Sequence, residues 1–253
     1  MLKNQSSLLK IYLMQQKKLI QSLNKTQFKR NFYIFFLIIS SFFFTFYYGF
    51  IGVFPIDSFL IYDAGYKILN GYHPFKDYWS ITGPILDYIQ FVFFKIFGIN
   101  WYSYVLHAAV LNLFITIIFF YFFIQLGIKT GYSFLYSLSA SILAYPSVGT
   151  PFMDHHAVIF SIASGIFLFL AFLKDKPIFW FLVPIFLFAS FLSKQIPSAY
   201  LLLLFLLFIL LFWIFFKSKN YKFLIYLISG SILSLSIFFL FILINKIPLN
   251  SFF

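Results

Sequence analysis

Apolar runs long enough to cross or nearly cross a bilayer recur along almost the whole chain. They lie at approximately 33–54, 103–126, 132–147, 156–173, 177–193, 197–216 and 221–245. A hydrocarbon core about 30 Å thick takes roughly 20 residues of helix, and a strand cannot satisfy its backbone within one segment there. With 62% hydrophobic and 9% charged residues in 253, no soluble domain could hide so much apolar surface. The sequence therefore predicts an all-α, polytopic transmembrane bundle of about seven spans, the third short and the fifth only just long enough.

Net charge is +12, which on a soluble chain would suggest nucleic acid. The positions of the charges exclude that partner. Seven of the 18 basic residues (Lys3, Lys10, Lys17, Lys18, Lys25, Lys29 and Arg30) precede the first apolar run. That pattern sets membrane orientation. Segment 83–98 decides the rest, because it is short and carries Asp87 and Lys95. If it lies along the membrane, thirteen basic residues fall inside and five outside. If it crosses, later loops swap sides and the bias nearly disappears. The positive-inside rule favours the first arrangement, with the N-terminus cytoplasmic. Asp57, Asp63, Asp77, Asp87 and Asp154 then face the extracytoplasmic side, and Asp175 faces in.

The chain divides into a basic arm, 1–32, and a transmembrane domain, 33–253, with a large loop at 55–102. Residues 6–24 space leucines and Tyr12 at roughly helical intervals between lysines, as an interfacial helix or a partly ordered tail would. The first apolar run is too long for a signal-peptide core and is expected to stay as an anchor. The absence of Cys removes disulfides, thiol nucleophiles and thiolate metal sites. The sequence stops at NKIPLNSFF, directly after an apolar segment, so truncation is part of the expectation.

Four of the six acids fall between Asp57 and Gly98. A carboxylate at the centre of a membrane helix costs roughly 2.5–3.5 kcal/mol, so acids in such a chain need a reason. An acid past the first span is followed by YDAGYKILNGYHPFKDYW, then Gly83-Pro84, an apolar helix and Phe97-Gly98. Over roughly residues 33–126 this resembles the GT-C superfamily of integral-membrane glycosyltransferases, in particular the bacterial branch around aminoarabinose transferase, protein O-mannosyltransferase and the rhizobial lipopolysaccharide sugar transferases. The resemblance implies helices lying on the membrane in the first extracytoplasmic loop. It also implies a polyprenyl-phosphate sugar donor, an envelope glycan, lipid or protein acceptor, and location in a bacterial inner membrane. It fixes no cofactor, and dependence on a divalent cation stays open.

By that resemblance Asp57 matches the family's first-loop catalytic aspartate. A base there would take the proton of an acceptor hydroxyl as its oxygen attacks the anomeric carbon. The plain alternative is a cap for a helix beginning near Ser58. Asp77 is a candidate for positioning substrate, and turn chemistry explains it equally. Asp63 is read as an i,i+4 partner of Lys67. Asp87 faces an aqueous cavity without a catalytic role, and His73 is ordinary loop polarity.

Asp154 and His155 stand at the outer mouth of the fourth segment as substrate contacts, with capping as the alternative. Asp154-His155-His156 invites a metal. Adjacent helical residues point about 100° apart, however, and further ligands are missing, so no metal is assigned. Lys194 and Gln195 occupy the outer turn between the fifth and sixth segments. There a lysine could hold the carrier phosphate or simply snorkel. Other classes compete with the transferase. They are a non-catalytic polytopic protein, an inactive transferase fragment and, less favoured because the later spans hold few ionisable groups, a transporter or flippase subunit.

Overall fold

The computed structural model describes residues 27–53, 57, 59–81, 83–144, 149–216 and 222–248. The expected interfacial helix at 6–24 lies outside them. The helices are α1 Gln27–Tyr48, α2 Leu60–Leu69, α3 Ile85–Phe97, α4 Trp101–Gln125, α5 Thr130–Ala144, α6 Met153–Lys174, α7 Pro177–Ser193, α8 Gln195–Phe216 and α9 Lys222–Asn245. Apart from a bridge between Pro74 and Tyr78, no β-structure occurs among the described residues. Helices α1, α4, α6, α8 and α9 are long and apolar enough to cross a membrane. The chain is therefore a multi-pass helical membrane protein.

Helix α1 begins six residues before the expected apolar run and ends six earlier. Gly49 explains its end. A β-carbon there would collide with Val105 and with the carbonyl of Gly149, so α1 stops where its backbone meets two other elements. Trp101 fixes the same corner by donating its indole N–H to the Gly49 carbonyl at 2.8 Å. The other expected spans differ from the helices by only a few residues.

The shorter helices α5 and α7 run between the same two ends of the bundle as their neighbours. Phe134 stacks on Tyr33 at the start of α1, while Gly149, beyond α5, meets Gly49 at its close. Trp180 donates to Asp175 Oδ1 at one end of α7 (3.3 Å), and at the other the Ser193 carbonyl accepts from Gly83 N–H (3.3 Å). One end, here the basic end, carries Lys29, Arg30, Lys129, Lys174, Lys176 and Lys222. The opposite, loop end gathers α2, α3, the start of α6 and the α7–α8 turn. Helix α3 lies wholly at this loop end, packed on α2, α4 and the close of α7.

Lipid is as apolar as leucine, so close packing and polar links must join helices here. Helix α5 buries Ser133, Ser137 and Ser141 in one stripe, where small side chains let backbones approach. Asn112 Nδ2 on α4 reaches the Ser41 carbonyl (3.2 Å) and Thr45 Oγ1 (2.6 Å) on α1, and the Ser141 carbonyl (2.9 Å) on α5. Between α6 and α7, Ser164 donates to the Val183 carbonyl (2.8 Å) and Ser190 to the Ala157 carbonyl (2.8 Å). Gly230 lets α9 approach the Phe181 carbonyl and Pro184 of α7. The apolar core centres on α4, α6 and α7, with Trp180 almost fully buried.

Candidate functional site at the loop end

Helix α2 begins at Leu60, and its N-cap position is Phe59, which makes no side-chain capping bond. Asp57 is therefore not that cap. Its backbone carbonyl accepts from Leu60 N–H (3.3 Å), and the residue is half-buried at the mouth of the loop. Asp63 and Lys67 form the expected i,i+4 pair at 2.7 Å. Lys67 also sits 4.9 Å from the centre of the Tyr78 ring, within cation–π range.

Gly71, at φ +86°, closes α2 into the Gly-Tyr-His-Pro turn. Here turn chemistry accounts for Asp77. Its Oδ2 accepts from His73 N–H at 2.8 Å, and its own N–H donates to the His73 carbonyl at 2.9 Å. His73 is more than loop polarity, because its Nδ1 lies 2.6 Å from the Tyr88 hydroxyl on α3. Burial, and then the charge of Lys76, push the His73 pKa down, with Asp77 opposing.

Asp87 was expected to face an aqueous cavity. It is instead 1% exposed and accepts a hydrogen bond from the Tyr78 hydroxyl at 3.2 Å. Desolvation raises its pKa from 3.8 to about 7, against the pull of Tyr78 and Lys67. Burial, and then the Asp87 charge, raise Tyr78 and Tyr88 in turn. His73, Asp77, Tyr78, Asp87 and Tyr88 thus form one polar cluster between the loop and α3. Sequence reasoning missed its centre. The available signal was an acid beside a tyrosine on an apolar helix face, with a second tyrosine in the preceding turn.

Asp154 and Lys194, assigned separately from sequence, pair at 2.5 Å and tie the start of α6 to the α7–α8 turn. Lys194 is thus held by an acid rather than simply snorkelling. Gln195 follows it on the exposed side of that turn, its carbonyl accepting from Ser198 Oγ (2.8 Å). His155 is half-buried with its ring against Phe152, at 5.6 Å between centres. Among the described residues no hydrogen bond or ion pair joins Asp57 or Asp77 to the Asp154–Lys194 pair.

His156 turns inward. Its Nε2 lies 3.0 Å from His107 Nε2, and its Nδ1 lies 2.8 Å from the Phe152 carbonyl. His107 Nδ1 in turn faces Gln90 Oε1 at 3.0 Å. In neutral rings, a proton on His156 Nδ1 serves the carbonyl, so His107 must donate through Nε2 and accept at Nδ1. The Gln90 amide then satisfies His107 by turning its nitrogen toward it, which also gives the buried, unpartnered Nε2 an acceptor. No group of three or more His, Asp or Glu among the described residues is arranged to hold a metal ion.

Two apolar grooves open along α7 and α9. One, about 280 Å³, runs between α3, α7 and α9 and is lined by Pro84, Ile85, Tyr88, Phe188, Ser234 and Phe241. The other, about 570 Å³, lies between α7, α8 and α9 beside Phe191, Ser198 and Leu202. Phe188 borders both. No family model, curated protein or solved structure matches the chain.

Proposed function

We propose that this protein is an integral-membrane glycosyltransferase that moves a sugar from a polyprenyl-phosphate donor to an envelope glycan, lipid or protein acceptor. In this reading α5 and α7 also cross, giving seven spans in a bacterial inner membrane. The N-terminus is cytoplasmic and the loop end extracytoplasmic. The observation that carries the reading is the meeting of two environments at Tyr88. Its ring lines the apolar groove of about 280 Å³, while its hydroxyl joins His73 in the polar cluster. A substrate with a long apolar chain and a polar head needs such a junction at the membrane surface. The GT-C resemblance of the loop supports the same chemistry.

Asp57 takes the proton of the acceptor hydroxyl as that oxygen bonds to the anomeric carbon. The bond from that carbon to the phosphate oxygen breaks, and polyprenyl phosphate leaves with the electron pair. Lys194 offers the leaving phosphate a point charge, and its ammonium has three donors, so it can serve the phosphate while still held by Asp154. Asp77 and His73 shape the turn that faces the acceptor, with Gln195 and His155 flanking Lys194.

The test follows loss of label from a polyprenyl-phosphate sugar in membranes carrying the wild-type chain or Asp57→Asn, with a crude envelope extract as acceptor. Wild-type turnover should fall at least about 100-fold in the variant, the scale of a lost general base. Equal turnover would keep the transferase and remove Asp57 as its base. No turnover by either folded, inserted protein would favour a non-catalytic polytopic role.

A further inference from the structure

At the basic end, far from the loop, a cavity of about 440 Å³ opens between the start of α1 and the α4–α5 turn. Its lining includes Lys29, Tyr33, Lys129, Gly131, Tyr132 and Leu135. That volume is in the range of small-molecule sites, roughly 300–1,000 Å³. We propose that this cavity holds the phosphate headgroup of an anionic phospholipid from the leaflet at the basic end.

Charge comes first. Helices α1, α4 and α5 and the turn at 126–129 contain no Asp or Glu, so nothing on the walls neutralises Lys29 or Lys129. Neither lysine forms an ion pair with a described residue. Lys29 lies 5.7 Å from the centre of the Tyr33 ring, which holds its stem against the cavity wall. Two ammonium groups beside phenol rings suit a phosphate.

Shape comes second. Tyr33 stacks on Phe134 at 4.8 Å, which fixes the floor, and Gly131 leaves the space above the Tyr33 hydroxyl open. The source follows from where the cavity leads. Leu135, Tyr136 and Leu143 continue from its rim along α5, each more than half exposed, so the opening runs onto a lipid-facing surface. A ligand with acyl chains covers that surface as its phosphate meets the lysines, whereas a free anion would leave it bare.

The test uses the purified full-length chain in neutral detergent micelles, titrated with phosphatidylglycerol or phosphatidylcholine, with bound lipid counted by native mass spectrometry. Wild type should retain one phosphatidylglycerol in preference to phosphatidylcholine. Lys29→Gln/Lys129→Gln should weaken that retention about 30-fold, two contacts at the strength of a basic residue beside an anionic leaflet. Lys174→Gln/Lys176→Gln removes the same charge at the same end outside the cavity and should leave retention unchanged. Gly131→Trp keeps both lysines but fills the space, and should lose the lipid too. Equal losses in the two charge variants, full retention in Gly131→Trp, or no preference over phosphatidylcholine would overturn the site. Displacement by inorganic phosphate at equal concentration would overturn the lipid as its occupant.

Discussion

Asp87 is the residue whose surroundings differ most from what its neighbours in sequence suggest. With 1% exposure and one tyrosine hydroxyl as its hydrogen-bond partner, its carboxyl is held at about pH 7 rather than 3.8. The sign follows from linkage. Below about pH 4 the folded and unfolded chains both hold the proton, and the neutral acid costs little. As pH rises toward 7 the unfolded chain ionises first, so stability falls, and above about 7 the penalty is complete. A shift of this size corresponds to about 4 kcal/mol. Unfolding of the solubilised wild-type protein and of Asp87→Asn, compared from pH 4 to 8, should therefore show the wild type losing stability relative to the variant as pH rises. A variant that keeps the wild-type slope would mean that Asp87 is ionised and solvated in the folded protein. His73 contributes in the opposite direction. Its lowered pKa makes the folded chain reluctant to take a proton, so stability is lost as pH falls through the ordinary histidine range.

Among the elements, α1 leans on a few polar links, because only 17% of its apolar window is buried. Asn112 supplies the densest of them, spanning α1, α4 and α5. Asn112→Leu removes every link at once and leaves the Ser41 and Ser141 carbonyls without this donor. It should cost about 1–2 kcal/mol, the scale of interhelical hydrogen bonds in membranes. The loss should appear as faster proteolysis near α1 and a lower midpoint of unfolding in detergent. Wild-type behaviour would make Asn112 a bystander. Helix existence was legible in the sequence because apolar length alone dictates it, as Pro177–Ser193 illustrates at both ends. Helix boundaries were less so. The end of α1 is set by Gly49 meeting Gly149 and Val105, contacts from distant parts of the chain that no local pattern reports. The same limit hid the site's pairings. Asp63–Lys67 is four residues apart and readable. Asp154–Lys194, Tyr78–Asp87 and His107–His156 are made by packing, and so a lysine and an aspartate that hold each other looked like two independent candidates.

For the whole molecule, the question is which way the two ends face. The proposed transferase reading puts the basic end, which follows the lysine-rich arm in sequence, in the cytoplasm and the loop end outside. Contacts along the helices already place α2, α3, Asp154 and Lys194 together, so one loop-end position reports for all of them. The chain has no Cys, which makes single-cysteine labelling clean. Trp79, 79% exposed in the loop, and Lys176, exposed in the turn between α6 and α7, mark opposite ends. In intact cells a membrane-impermeant maleimide should modify Trp79→Cys and spare Lys176→Cys until the membrane is opened. The reversed pattern would place the loop cluster in the cytoplasm, where a polyprenyl-phosphate sugar facing outward could not reach Asp57. Labelling of both in intact cells would mean that the two ends share a side. That result would contradict the alternation on which the seven-span reading rests.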